Sequence, residues 1–200
     1  MRALALVLST LCLSGCVGLG PTSAASGPDR IDGAAIALNG CVAIQAAEST
    51  LDPRLADSVE EGLARHVAYK LGRPVGAAEV RSAARRDRLH VHAEAVAVAA
   101  ALGCEAVLNW RVVSARADYL VVWAARHLTL EVALVRASDG YVLWTAAHSV
   151  SRHDGGLPLT PLSAAFGAAQ ATLNRASAQD LPSMVDDVLR PIFATLPARS

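Results

Sequence analysis

From His127 to Leu134 polar and apolar residues alternate without a break. Leu128, Leu130, Val132 and Leu134 point one way, and His127, Thr129, Glu131 and Ala133 the other. Successive side chains of a strand project to opposite faces, so this run is a strand with one buried face. It ends at Ser138-Asp139-Gly140, where Asp-Gly tolerates the positive φ that a tight turn needs, and Tyr141 to Ser151 returns as the paired strand. A sheet with one apolar face must be covered, so the chain needs helices carrying matching apolar stripes.

It supplies them. Asp52 suits an N-cap and Pro53 the first helical position. Leu55, Val59, Leu63, Val67 and Leu71 then recur every fourth residue, which predicts an amphipathic helix closed by Gly72. Ala77 to Asp87 carries Arg81, Arg85 and Arg86, with Arg88 just beyond, and Val91, Ala95, Val98 and Leu102 mark a further helix closed by Gly103. Leu162, Phe166, Ala169 and Leu173 mark another, and a last one runs from Leu181 through Phe193, with Pro191 expected to kink it. The aliphatic run Ala35 to Ala47 predicts a first strand, Ala106 to Val113 another, and Tyr119 to Trp123 its extension or a further strand. The order predicts an α/β fold: a mixed sheet with an antiparallel hairpin, helices packed mainly on one face, and two C-terminal helices.

The N-terminus sets the compartment. Arg2 and the apolar run Ala3 to Leu13 form a targeting segment too short to span a bilayer. Leu13-Ser14-Gly15-Cys16 resembles the lipobox of bacterial lipoproteins, which implies diacylglycerol on the Cys16 thiol and cleavage before it. Two or three acyl chains hold a protein to a membrane where one is marginal. In Gram-negative lipoproteins an Asp after the Cys commonly means inner-membrane retention; here the residue is Val17, which implies the periplasmic face of the outer membrane. The expected organisation is a signal peptide at 1–15, a lipidated Cys and Gly/Ser/Pro-rich tether at 16–32, and one domain at 33–200.

Without Arg2 the chain keeps 17 basic and 18 acidic residues, which argues against nucleic acid as a partner. Hydrophobic residues make up 53% and aromatics 4%, and 41 alanines mean a core of small and branched aliphatics. Cys12 leaves with the signal, so the exported chain keeps Cys41 and Cys104, open either to a disulfide or to two separately buried thiols.

Two stretches carry a wider resemblance. One is Ala100-Ala101-Leu102-Gly103-Cys104-Glu105-Ala106-Val107-Leu108, a helix end running into a strand. The other is Leu134-Val135-Arg136-Ala137-Ser138-Asp139-Gly140-Tyr141-Val142-Leu143-Trp144, a strand, a Gly turn and a strand opening on an aliphatic-Trp pair. Together they resemble the lipoprotein superfamily of CsgG, LpoB and the TolB amino-terminal domain. The C-terminal part is most similar to the uncharacterised small lipoproteins that accompany CsgG-like proteins. Cys104 and Glu105 depart from that pattern, which has Ala and Asp there. The resemblance implies an envelope-protein partner, a CsgG-like lipoprotein among the candidates, or association of the chain with itself.

The search for chemistry returns little. Of six histidines, His90 and His92 form with Glu94 the densest cluster, which would suit a metal in a strand but spreads around the axis of a helix. No Gly-x-Ser-x-Gly elbow or phosphate loop is present. The arginines at 81, 85, 86 and 88 read as a solvated helix face, partly paired with Glu79 and Asp87. Neither a catalytic residue, a metal nor a cofactor is expected. Tyr119, Leu120, Val122 and Trp123 are the candidate partner surface, expected at an exposed sheet edge. The expected function is a non-catalytic scaffold or accessory subunit in envelope assembly or secretion; the alternative is a binding module for an envelope lipid, glycan or peptide.

Overall fold

The computed structural model describes residues 25–31, 36, 38–120, 123–155 and 180–196. In chain order these form β1 (Ala25–Ile31), β2 (Cys41–Ile44), α1 (Pro53–Lys70), β3 (Arg73–Val75), α2 (Ala77–Asp87), α3 (Ala95–Ala101), β4 (Ala106–Leu120), β5 (Trp123–Arg136), β6 (Val142–Gly155) and α4 (Asp180–Ala194). The strands make one mixed sheet in the order β1-β6-β5-β4-β2-β3. β2 runs parallel to β3 and β4, and β4, β5, β6 and β1 are successively antiparallel. This is the mixed α/β sheet that the sequence order predicts.

Local chemistry sets the elements. The Asp52 carboxylate accepts from the N–H groups of Arg54 and Leu55 at 3.0 and 3.1 Å, satisfying two donors that α1 leaves open. Gly72, at φ 124, ends the helix by donating to the Val67 carbonyl at 2.9 Å. At the β5–β6 turn Gly140 adopts φ 70, and the Asp139 carboxylate accepts from the Tyr141 N–H at 3.0 Å and from Arg136 at 2.9 Å.

One sheet face is apolar. Leu128, Leu130, Val132 and Leu134 of β5 join Trp144, Ala146 and Val150 of β6 beneath α1 and α4. Trp144 is fully buried, lies 5.9 Å from Phe193 ring to ring, and donates its indole N–H to Thr195 Oγ1 at 3.0 Å. A Cβ on Gly62 would lie 2.8 Å from Leu189, so a glycine is what lets α1 and α4 approach. Among the described residues, the opposite face is covered at the β2–β3 end, where α2 and α3 close over Ala43, Val107 and Val135. Cys41 of β2 and Cys104 after α3 are joined by a disulfide at that end.

Three expectations change. Residues 25–31, assigned to the tether by composition, form β1 along β6. Edge pairing needs only backbone groups, and the pairing is irregular between Ser26 and Arg30, where a strand admits Pro28. Tyr119 to Trp123 is neither one extension nor a separate strand: Tyr119 and Leu120 end β4, on the stretch that β2 no longer accompanies, and Trp123 begins β5, which is interior. α3 starts at Ala95 instead of Val91. The Glu94 carboxylate accepts the His90 N–H at 2.7 Å, closing a turn ahead of it. The helix expected at 162–173 lies outside the described residues.

Candidate partner-binding surface and cleft

β2 pairs with β4 only from Ala106 to Leu108. Among the described residues, no strand then flanks β4 on that side from Asn109 to Leu120, although β5 pairs with it to its end on the other. A row of backbone donors and acceptors without strand partners templates further pairing. Val113 is an extra residue at a bulge between Val112 and Ser114, and its side chain is 53% exposed.

The sheet face beyond α2 and α3 is built in rows set by register: Asn109, Ala133 and Thr145; Arg111, Glu131 and Ala147; Ser114, Thr129 and Ser149; Arg116, His127 and Ser151. Arg111 donates to Glu131 across the strands. Arg111 is largely in solvent and Glu131 is half-buried, so the pair adds little stability. His127 Nδ1 lies 2.8 Å from Ser151 Oγ, its Nε2 lies 3.0 Å from Thr129 Oγ1, and Thr129 Oγ1 lies 2.9 Å from Ser149 Oγ. A serine and a histidine meet, but the group on the far ring nitrogen is a hydroxyl, which cannot stabilise an imidazolium as a carboxylate does.

A cleft of about 350 Å³ lies where the rows reach the end of β2, with Gln45, Asn109, Arg111, Glu131 and Thr145 in its lining. The Gln45 side-chain amide lies 3.2 Å from His92 Nδ1, and the Trp110 indole N–H donates to the Gln45 carbonyl at 2.7 Å. Asn109 Oδ1 is buried and has no hydrogen-bond partner. No stretch of sequence announces this cleft, because strand register alone joins residues from β4, β5 and β6 with the segment that follows β2.

The residues singled out from sequence fall as follows. Cys16 and Val122 lie outside the described residues; Tyr119 and Leu120 end β4, and Trp123 begins β5. Among the described residues no cluster of histidine, cysteine and carboxylate side chains could hold a metal. Arg81 pairs with Glu60 of α1 at 2.9 Å, not with Glu79, while Arg86 pairs with Asp87. His66 Nε2 lies 3.1 Å from Asp186 and its ring stacks on Phe193, tying α1 to α4. Hydrogen bonding from Arg190, and secondarily from His66, holds the Asp186 carboxyl below its usual range. His148 is buried on the apolar face, and desolvation pushes its imidazole below the ordinary value. Among the described residues no helix is long and apolar enough to cross a membrane.

No protein-family model matches the chain, and no curated protein matches it. Among solved structures it is similar to PelC from Paraburkholderia phytofirmans, a dodecamer, at 19% identity and a TM-score of 0.43 over 90% of this chain and 100% of that one. It is similar to lipoprotein GNA1162 from Neisseria meningitidis at 15% identity and a TM-score of 0.48, over 68% of this chain and 96% of that one. It is also similar to the C-terminal domain of LpoB from Salmonella enterica at 16% identity and a TM-score of 0.39, over 56% of this chain and 83% of that one. At these values nothing about partners or activity passes from them to this chain.

Proposed function

We propose that the chain is a lipoprotein held by Cys16 to the periplasmic face of the outer membrane, where it acts without catalysis as an accessory or scaffold subunit. It binds another envelope protein, a CsgG-like lipoprotein among the candidates, or a further copy of itself. The observation that carries this reading is β4, whose outer side from Asn109 to Leu120 meets no strand among the described residues. An extended segment of a partner adds to such an edge by main-chain hydrogen bonds. A lipid anchor and short tether confine that edge near the membrane and raise its effective concentration toward partners. The hydroxyl on the far side of His127 supports a non-catalytic role.

The anchor is tested by fractionation. The wild-type chain should sediment with outer membranes, and Cys16→Ser should move to the soluble fraction. Retention of Cys16→Ser in the membrane would remove the anchor from the account. Pull-down of the wild-type chain from detergent-solubilised envelopes should bring down one envelope protein in fixed ratio, or further copies of the chain. Recovery of the chain alone and monomeric would contradict the scaffold reading.

A further inference from the structure

Several elements meet at one end of the sheet. α1 closes at Lys70, and β3 opens just beyond it at Arg73, opposite Cys41. α2 is joined to β3 by Gly76 alone and packs on the sheet through Val80, Ala83 and Ala84, so it runs back along β3 and finishes at the same end. Val42 lies between Pro74 and Ala106, and Ala106 pairs with Arg136, which brings the β5–β6 turn to this end as well.

This end is cationic although the whole chain balances 18 basic against 18 acidic residues. Residues 70–88 carry six cationic side chains against the carboxylates of Glu79 and Asp87, and Glu79 sits in the first turn of α2, at the other end. The carboxylates at the cationic end are engaged: Asp87 with Arg86, Asp139 with Arg136, and Glu105 with the Asn39 N–H at 3.0 Å. Among the described residues no carboxylate pairs with Lys70, Arg73, Arg85 or Arg88. Two tyrosines stand among the cations. Tyr69 is 81% exposed and Tyr141 39%, with Lys70 Nζ at 5.8 Å and the Arg136 guanidinium at 5.5 Å from the respective ring centroids. Exposed tyrosine among arginine and lysine suits a bilayer surface, where the ring sits at headgroup level and the cations meet phosphates.

The tether reaches far enough for that placement. Nine residues lead from Cys16 to Ala25 and span at most about 30 Å. Ala25 pairs with His148, six residues along β6 from Val142, so it stands about 20 Å above the cationic end.

We propose that this end of the sheet rests on an anionic phospholipid leaflet, which leaves the outer side of β4 from Asn109 to Leu120 raised into the periplasm. The placement rests on the Cys16 anchor proposed above, although the cationic end would seek such a leaflet without it. The exported chain has one lysine, Lys70, and an acylated Cys16 leaves no other primary amine. A water-soluble succinimidyl ester therefore reads this end in the full lipidated chain, with the modified peptide identified by mass. On vesicles of phosphatidylcholine with phosphatidylglycerol, Lys70 should react at least about fivefold more slowly than on phosphatidylcholine alone, as cations held against an anionic surface predict. About 1 M salt, where the screening length is about 3 Å, should abolish the difference. Arg73→Glu combined with Arg85→Glu, both at exposed positions, should abolish it too, at an unchanged thermal midpoint. Equal rates on the two vesicles overturn the proposal, as does protection that survives salt or the double substitution. Protection on both vesicles that grows with chain concentration would put a second copy on this end and overturn it as well. A chain found to carry no acyl group should still float with the anionic vesicles and not with phosphatidylcholine; failure of that flotation overturns the proposal, and loss of the anchor alone does not.

Discussion

Trp144→Ala should lower the unfolding free energy by about 3–5 kcal/mol, the range for emptying a large, fully buried side chain. Trp144 has no exposed surface, packs against Phe193 and donates to Thr195 at the end of α4. The substitution therefore removes a side chain from beneath α4 and leaves the Thr195 hydroxyl without that donor. Denaturant unfolding of the purified chain measures the loss. A change below about 0.5 kcal/mol, typical of surface positions, would contradict the packing described.

Removing the Cys41–Cys104 bridge is the second large effect. The bridge spans 63 residues of sequence and encloses α1, β3, α2 and α3. Loop-closure entropy for a ring of that size predicts a loss of about 4 kcal/mol in the double Cys41→Ala, Cys104→Ala variant. Reduction of the wild type should lower stability in the same direction. Both sulfurs are buried, so an intact folded domain should resist mild reductant until partly unfolded. Equal midpoints for oxidised wild type and double variant would contradict the contribution assigned to the bridge.

α1 and the β5–β6 hairpin were legible because each is specified within a few residues. Asp52-Pro53 opens α1, the four-residue spacing from Leu55 to Leu71 fixes its buried stripe, and Asp139-Gly140 pins the β5–β6 turn. β1 was not legible, since Ala25–Ile31 has no alternation and pairs through its backbone. The length of β4 was hidden for a related reason: Ser114 to Asp118 has little apolar content, and it is held in the strand by register with Thr129 to Ala125 of β5. Sequence marked an aromatic and aliphatic segment at Tyr119–Trp123 but not its place, which depends on how far β2 accompanies β4. The cysteines were visible as a pair, yet only the parallel register of β2 and β4 brings their Cα atoms to 4.6 Å. The cleft was invisible because Gln45, Asn109, Glu131 and Thr145 meet only once the sheet has formed.

The central claim is that the chain acts by binding an envelope protein or itself through β4 and the end of its hairpin. The most direct measurement combines Leu120→Asp with Val122→Asp in the lipidated chain, then compares co-purification and mass in detergent with those of the wild type. The account predicts an unchanged thermal midpoint, because Leu120 ends β4, beyond the stretch Ala106 to Val112 that packs on the core beneath α1 and α4. It also predicts loss of the co-purifying protein or of the higher-order species. A folded variant that associates as the wild type does, with cellular activity lost instead on changing His92 or Glu94 alone, would contradict it.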